Sequence, residues 1–529
     1  MDSPVVILDN GGYTVKAGVV GVHPEPLIVP NAVIRSKGDK ETYVGHEYAR
    51  CSDFSSLHFR LPIEKGFVTD WDAQKAVWDG VFSKECLNID TQQSTLLLTE
   101  PYFNLPNLQR TYDQFIFEEY EFRSYCRRTP ASLVPYGSLF AQPGLPPPEC
   151  SLILDCGFSF SHAIPAINGH VQWNAVRRVD VGGKLLTNHL KELVSFRQWN
   201  MMDQTVVMNH VKETCCFVSL DFAQDLERAR HDRSTTLSYV LPDLTKSPHG
   251  HVKSANDINV DGANDMDVDG ANDMDADGAT RKNVDSATRK DVDASQVLLM
   301  GNERFSVPEL LFTPSDIGLD QAGIAHAVAS SIGALPDDLQ GMFWANIGLV
   351  GGCTKFKGFR ERLMLELERL APTDCEVVIY DSDDPITVPY HGAHAFASAP
   401  DFDSHTITRA SYFEHGSQRH DDDWRPLEAY AQAKGRVRRD TTSGTHEEGD
   451  DGGEGGGGGD GQKDTGDDER TTESEASEAS SEESAPRKRR KSLRGEGSRG
   501  GRGEGSRGGG RGRGGRRRRG AAEGALVAE

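Results

Sequence analysis

The sequence predicts an α/β protein of two lobes around a central cleft, with one polar insertion and a long polar tail. Three observations carry this reading. Between Met1 and about Val240, apolar runs such as PVVIL, STLLLT and SLILDCG alternate with stretches of helical period, as in a mixed sheet covered by helices. Two of these runs end in an aspartate followed closely by glycine, DNGG from Asp9 and DCG from Asp155. Each part of the chain thus offers a strand-to-strand turn whose backbone N–H groups can approach a phosphate, one from either side of a cleft. The texture then changes abruptly near Lys246 and again after Gly416, dividing the chain into body 1–245, insertion 246–295, body 296–416 and tail 417–529.

The helices follow from spacing. In KLLTNHLKELV, Leu186, Leu190, Leu193 and Val194 share one side of a 3.6-residue turn, and in the helix after ANIGLVGG, Phe359, Leu363, Leu367 and Leu370 do the same. Both are core-facing stripes. A chain of 529 residues is long enough for two or three compact domains. The net charge of -23 hides an asymmetry, with acids crowded into two polar stretches and Arg and Lys gathered at the extreme C-terminus. Nine cysteines without a CxxC pair or a secretory leader imply free thiols in a reducing compartment and no structural zinc. No apolar run approaches the roughly 20 residues needed to cross a bilayer, so a soluble intracellular protein without membrane contact is expected.

Within the insertion VDGANDMD occurs twice from Val260, followed in the same register by ADGATRKN and VDSATRKD. Recurrent Asp-Gly is compatible with a calcium-binding solenoid, but the large apolar residues that stack such rungs are nearly absent. A solvated, disordered insertion fits the composition better. The tail, rich in Gly, Asp, Glu and Ser before PRKRRK and repeated Arg-Gly, is also too poor in apolar surface to offset the entropy of ordering.

Three segments carry chemistry. In DNGGYTVKAG, Gly11 and Gly12 open the turn after Asn10, Asp9 is suited to a hydrated Mg²⁺, and Lys16 to phosphate charge; an ordinary Asn-Gly hairpin would read the same. In DCGFSFSH, Asp155 and Gly157 repeat the pattern ahead of His162. In VGGCTKFKG, Gly351 and Gly352 leave room for a flat ring against backbone, or simply make a tight turn.

In this order the three segments resemble the phosphate-one, phosphate-two and adenosine motifs of the actin family. VKETCCFVSLDFAQDL from Val211, NERFSVPELLFTPSDIGLDQAGIAHAVASSI from Asn302, and LLLTEPYFNLPNLQRTYDQFIFEEY are similar to actin segments almost residue for residue. The resemblance runs to about Gly416, broken only by the insertion. It implies the actin/hexokinase-type, ribonuclease-H-like fold, and ATP or ADP with Mg²⁺ as the ligand. By it, Lys212 and Glu213 would flank the adenosine and Gly351, Gly352 and Phe356 its other face. Asp9, Asn10, Gly11, Gly12, Lys16, Asp155, Gly157 and His162 would handle phosphates, with Asp9 and Asp155 reaching the metal through water.

The chain also departs from that family. Tyr13 stands where a glycine is usual, and Phe158 and Ser159 replace an aspartate and a glycine, removing one water-holding carboxylate. Actins position the attacking water with a glutamine; the matching stretch ASLVPYGSLFA has Val134 and Pro135, whose side chains form no hydrogen bonds. Hydrolysis is therefore expected to be slight or absent, because positioning supplies much of the rate. No catalytic residue is assigned, and no sugar-binding signature accompanies the phosphate turns. The stretch from His46 to Asp72 lacks the hydrophobic-tipped loop of filament-forming actins, so no homopolymer is expected.

SDFSSLHFRLPIEKG and ITRASYFEHG are most similar to the actin-related protein six subfamily of nuclear Swr-type chromatin remodellers. That resemblance implies a remodelling ATPase and its zinc-finger-HIT subunit as partners, with histones nearby, in a complex exchanging a variant histone. Arg487, Lys488, Arg489, Arg490 and Lys491 form a basic cluster suited to a nuclear import receptor, and the Arg-Gly repeats suit weak, salt-sensitive nucleic-acid contact. The expected location is the nucleus, with the cytoplasm as a second.

Overall fold

A six-stranded sheet organises the first lobe, in the order Ile407–Thr408, Ser124–Arg128, Thr95–Thr99, Val5–Asn10, Thr14–Val19 and Leu27–Pro30. The computed structural model describes residues 3–244, 247–253 and 297–417 of the protein. Val5–Asn10, Thr95–Thr99 and Ser124–Arg128 run parallel and are buried on both faces, Ile7, Leu97 and Cys126 on one and Val6, Leu8, Leu96, Leu98 and Tyr125 on the other. Beside this sheet lies a smaller one of Thr42–Val44, Val33–Ser36 and Leu57–Arg60.

The second lobe repeats the plan. Cys150–Cys156 pairs antiparallel with Ser161–Ile167 and parallel with Ile347–Val350, which in turn pairs with Ile379–Tyr380. The helix Gly183–Arg197 covers this lobe's core through Leu186, Leu190 and Val194, with Leu193 partly buried beside them. The helix Phe359–Leu370 does so through Phe359, Leu363 and Leu367. Each such side chain contributes about 1.5–3 kcal/mol by leaving water. The chain returns to the first lobe through the helix Val388–Ala397, whose Tyr390, Ala393 and Phe396 pack on Ile7, Leu97 and Cys126. It then closes the first sheet with Ile407–Thr408 and the helix Arg409–His415, ended by Gly416 at φ 75°.

One boundary read from composition moves. Residues 247–253, placed at the start of the insertion, belong to the body: His251–Val252 pairs antiparallel with Leu237–Val240, which also pairs with Val297–Met300. Val252 packs against the core of the second lobe, and a single apolar residue of this kind is easily lost in a polar run. The remaining repeats and the tail, with Arg487, Lys488, Arg489, Arg490 and Lys491, lie outside the described residues. None of the nine cysteines is joined in a disulfide among the described residues. Among the described residues no helix is long and apolar enough to cross a membrane.

Candidate functional site

The two hairpins that carry the aspartates are built alike. In the first lobe Asp9 lies opposite Lys16 across the antiparallel pair, and Lys16 Nζ is 3.4 Å from Asp9 Oδ2. In the second, Asp155 lies opposite His162. Both aspartates sit at the C-terminal ends of parallel strands, the edge where open α/β sheets bind ligands. Between the hairpins lies a cavity of about 570 Å³, within the range of roughly 300–1,000 Å³ usual for ligand sites. Asp9, Asn10, Gly11, Gly12, Lys16, Asp155, Gly157, His162, Lys212, Glu213, Gly351, Gly352 and Phe356 all line it.

The first turn is held from behind by a buried polar network. Thr99 Oγ1 donates to Asp9 Oδ1 at 2.7 Å and accepts from the Asn10 amide at 3.0 Å. Trp78 Nε1 donates to Asn10 Oδ1, Asn10 Nδ2 to Gln74 Oε1, and Asn31 Nδ2 to the Gly11 carbonyl. Asn10 therefore orients the loop from within rather than facing a ligand alone. In the second turn Tyr102 Oη donates to Asp155 Oδ2 at 2.9 Å. Burial, the largest influence, pushes the Asp155 carboxyl up to about 6 in spite of that bond. His162 is buried, and its titration lies well below the usual imidazole range because of burial first and Arg178 second. It is a neutral ring at physiological pH, and its Nε2 has no protein partner.

The wall expected to face a nucleoside differs from that expectation in its detail. Lys212 lines the cavity, but its ammonium donates to Asn209 Oδ1 at 2.8 Å, Thr187 Oγ1 at 3.0 Å and the Gly183 carbonyl at 3.3 Å. Three protein acceptors meet its three donors, so it ties the helix Thr205–Cys215 to Gly183–Arg197 and has no proton left for a ligand. Glu213 accepts from Asn209 Nδ2 at 2.7 Å and is exposed at the cavity wall. Phe356 is mostly core, 9% exposed. Gly351 adopts φ 95°, and a Cβ there would lie 2.5 Å from the Cys156 carbonyl oxygen, so this position demands glycine.

Two departures from the actin pattern also land differently. Val134 is fully buried and packs with Ala131, Phe140 and Ile153. Of residues 129–140, only Pro130 lines the cavity. Neither Val134 nor Pro135 faces the site, because the helix Pro130–Leu133 and the turn Val134–Tyr136 direct them elsewhere. Tyr13 does not intrude among Asp9, Lys16 and Asp155. Its ring stacks on Phe158 with centroids 5.0 Å apart, and Asn209 Nδ2 donates to its hydroxyl at 3.4 Å.

Sequence reasoning missed Thr99, Tyr102 and Asn209. Thr99 and Tyr102 bracket TEPY at the end of a strand, and Asn209 stands three and four residues before Lys212 and Glu213 on one helix face, a spacing that was there to be read.

The residues fit a nucleotide in part. The glycine cradle, the unpartnered His162 nitrogen and the cavity size suit a phosphate-bearing ligand. For a metal, Asp9 and Asp155 offer carboxylates already bonded to Thr99 and Tyr102, and among the described residues no group of three or more His, Cys, Asp or Glu side chains could chelate one. Contact through water is what this donor set permits.

The sequence profile of the family described as Actin matches residues 1–421. Actin-like protein ARP6 of Cryptococcus neoformans is 44% identical over 421 residues, 78% of this chain and 83% of that protein. Actin-related protein 6 of Arabidopsis thaliana is 37% identical over 79% of this chain and 98% of that protein. Actin-related protein 6 of Drosophila melanogaster is 34% identical over 79% and 99%. With two sheets of like plan closing on one cleft, and relatives of this name in fungi, plants and animals, the chain belongs to the actin family, in its actin-related protein 6 branch.

Proposed function

We propose that the chain is a structural subunit of a nuclear Swr-type chromatin-remodelling complex that exchanges a variant core histone into nucleosomes. In this reading it holds ATP or ADP with Mg²⁺ between its lobes and hydrolyses it at background rate or not at all. The observation that carries the second half is the wall of the cavity: residues 129–140, where actins place a water-orienting glutamine, contribute only Pro130. A proline side chain neither donates nor accepts a hydrogen bond, so nothing from this segment aligns a water for in-line attack. When bound, the nucleotide and Mg²⁺ would supply charge between the lobes; Gly11, Gly12 and Gly157 would approach the phosphates and Glu213 the nucleoside. The partners follow from the branch resemblance: the remodelling ATPase, its zinc-finger-HIT subunit and histones, met in the nucleus with some protein in the cytoplasm. The Arg-Gly tail would add weak nucleic-acid contact.

A chain truncated after Gly416 and given its own import signal is expected to co-purify with the remodelling ATPase from nuclear extract at moderate salt. Recovery only with the full tail, or with cytoplasmic filament proteins instead, overturns the assignment. A slow actin-like ATPase is the second reading, favoured by the unpartnered Nε2 of His162 at the cavity wall. Phosphate release by the pure subunit at the rate of conventional actin, lost in Asp155→Asn, would decide for it.

A further inference from the structure

Tyr13 and Phe158 belong to different lobes. Tyr13 occupies the turn between Val5–Asn10 and Thr14–Val19, and Phe158 the turn between Cys150–Cys156 and Ser161–Ile167. Their rings stack with planes 28° from parallel. With Asn209 they line both the nucleotide-sized cavity and a second cavity of about 510 Å³, whose walls include Phe54, Phe59, Met202 and Leu244. The pair is the partition between the two chambers.

Other links cross the cleft beside it. The Phe54 amide donates to the Leu244 carbonyl at 2.9 Å, and Lys184 Nζ lies 2.6 Å from Glu64 Oε2. The Lys184–Glu64 pair is half-exposed and therefore weak. The aromatic contact joins the two hairpin turns directly, ring on ring, although Tyr13 keeps 42% of its surface exposed. Burial, and then the charge of Glu213, push the Tyr13 phenol up to about 12, so the ring stays neutral across the physiological range.

We propose that the Tyr13–Phe158 stack is a clasp that holds the two lobes closed across the cleft whether or not a nucleotide is bound. A cleft closed only through its ligand loosens when the ligand leaves; one closed by the lobes' own side chains does not. Substituting a bulky ring on each hairpin turn converts the phosphate turns into the closing contact, and the body becomes a rigid surface for partners independent of nucleotide. The proposal does not require that nucleotide binds, since the contact lies wholly within the protein.

Amide hydrogen exchange on the full chain tests it. Protein stripped of nucleotide with apyrase and a chelator is compared with protein in ADP and Mg²⁺, following segments 54–61 and 202–207 on the walls of the second cavity. In the unsubstituted protein both segments are expected to exchange at the same rate in either state. In stripped Tyr13→Ala and Phe158→Ala they should exchange about three- to tenfold faster, with the strand Cys150–Cys156 unchanged. Should Phe158→Ala also loosen that strand, Phe158→Leu, which keeps apolar volume and removes the ring pair, is compared in its place. Variants that exchange like the unsubstituted protein overturn the clasp, and so does an unsubstituted protein that loosens on stripping as much as they do. If ADP leaves every protein unchanged, the nucleotide reading above is in doubt, while the stripped proteins alone still decide the clasp.

Discussion

The two ends of the cleft are built from the same kinds of residue, glycines beside a charged side chain, yet they are held in different ways. At one end Lys212 is locked to three protein acceptors and Gly351 sits against the Cys156 carbonyl, so that wall is fixed by contacts that have no slack. At the end where the two hairpin turns meet, the polar support lies behind the loop, through Thr99, Asn10, Gln74 and Asn31, while the tips of the turns carry Tyr13 and Phe158 against each other. One end is rigid by geometry, the other by a side-chain pair. Substitutions at the first should therefore cost far more stability than substitutions at the second.

The largest effect is expected at Gly351. At φ 95° an L side chain is strained, and its Cβ would meet backbone, which cannot rotate away. Gly351→Ala should cost about 3 kcal/mol or more in chemical denaturation. A loss under about 1 kcal/mol would show that the Cys156 strand yields, and the comparison would fail at its firmest point. Next comes Lys212→Ala, which leaves buried acceptors on Asn209 and Gly183 without their donor and should cost about 2–3 kcal/mol. Restoration of most of that stability by Lys212→Met would mean packing matters more than the hydrogen bonds.

Much of this was legible beforehand. The paired Asp-Gly turns gave the position of both hairpins, since an apolar run ending in such a turn has few other folds available, and every candidate residue of the body lines one cavity. What could not be read was direction. By the resemblance Val134 and Pro135 stand where actins carry a glutamine, but which way a short helix turns its side chains depends on what it packs against, here Phe140 and Ile153. Lys212 likewise reads as a ligand contact until its acceptors, contributed by a helix some 25 residues earlier, are in place. The strand His251–Val252 was lost in polar surroundings because two residues carry no periodicity.

A smaller, pH-dependent effect sharpens the account of the hairpin turns. Asp155 holds its proton to about 6 when folded, against 3.8 for an ordinary aspartate. Between those values the folded state binds more protons than the unfolded, so this group lowers stability as pH rises from about 4 through 6, and the cost persists above. Asp155→Asn should then be more stable than the parent by about 1–3 kcal/mol at pH 7.5 without ligand, converging with it near pH 4. The buried neutral His162 works the other way, lowering stability as pH falls through the ordinary imidazole range, so the difference between the two proteins, rather than either curve alone, isolates Asp155. A constant difference across pH would assign the effect to the hydrogen bond from Tyr102.

The smallest effect is expected at Gly12, and it bears most directly on the contrast between the two ends. Like Gly351 it belongs to a double glycine at a strand end, and a Cβ there would also make a close contact, 2.9 Å. The atom met is Ser159 Oγ, the end of a side chain that can rotate, and Gly12 does not adopt a positive φ. Gly12→Ala should therefore cost less than about 1 kcal/mol, with relief in Gly12→Ala combined with Ser159→Gly. A cost equal to that of Gly351→Ala would mean that the turn tips are fixed as tightly as the wall at Gly351. The Tyr13–Phe158 pair would then be a consequence of a rigid turn and not its cause.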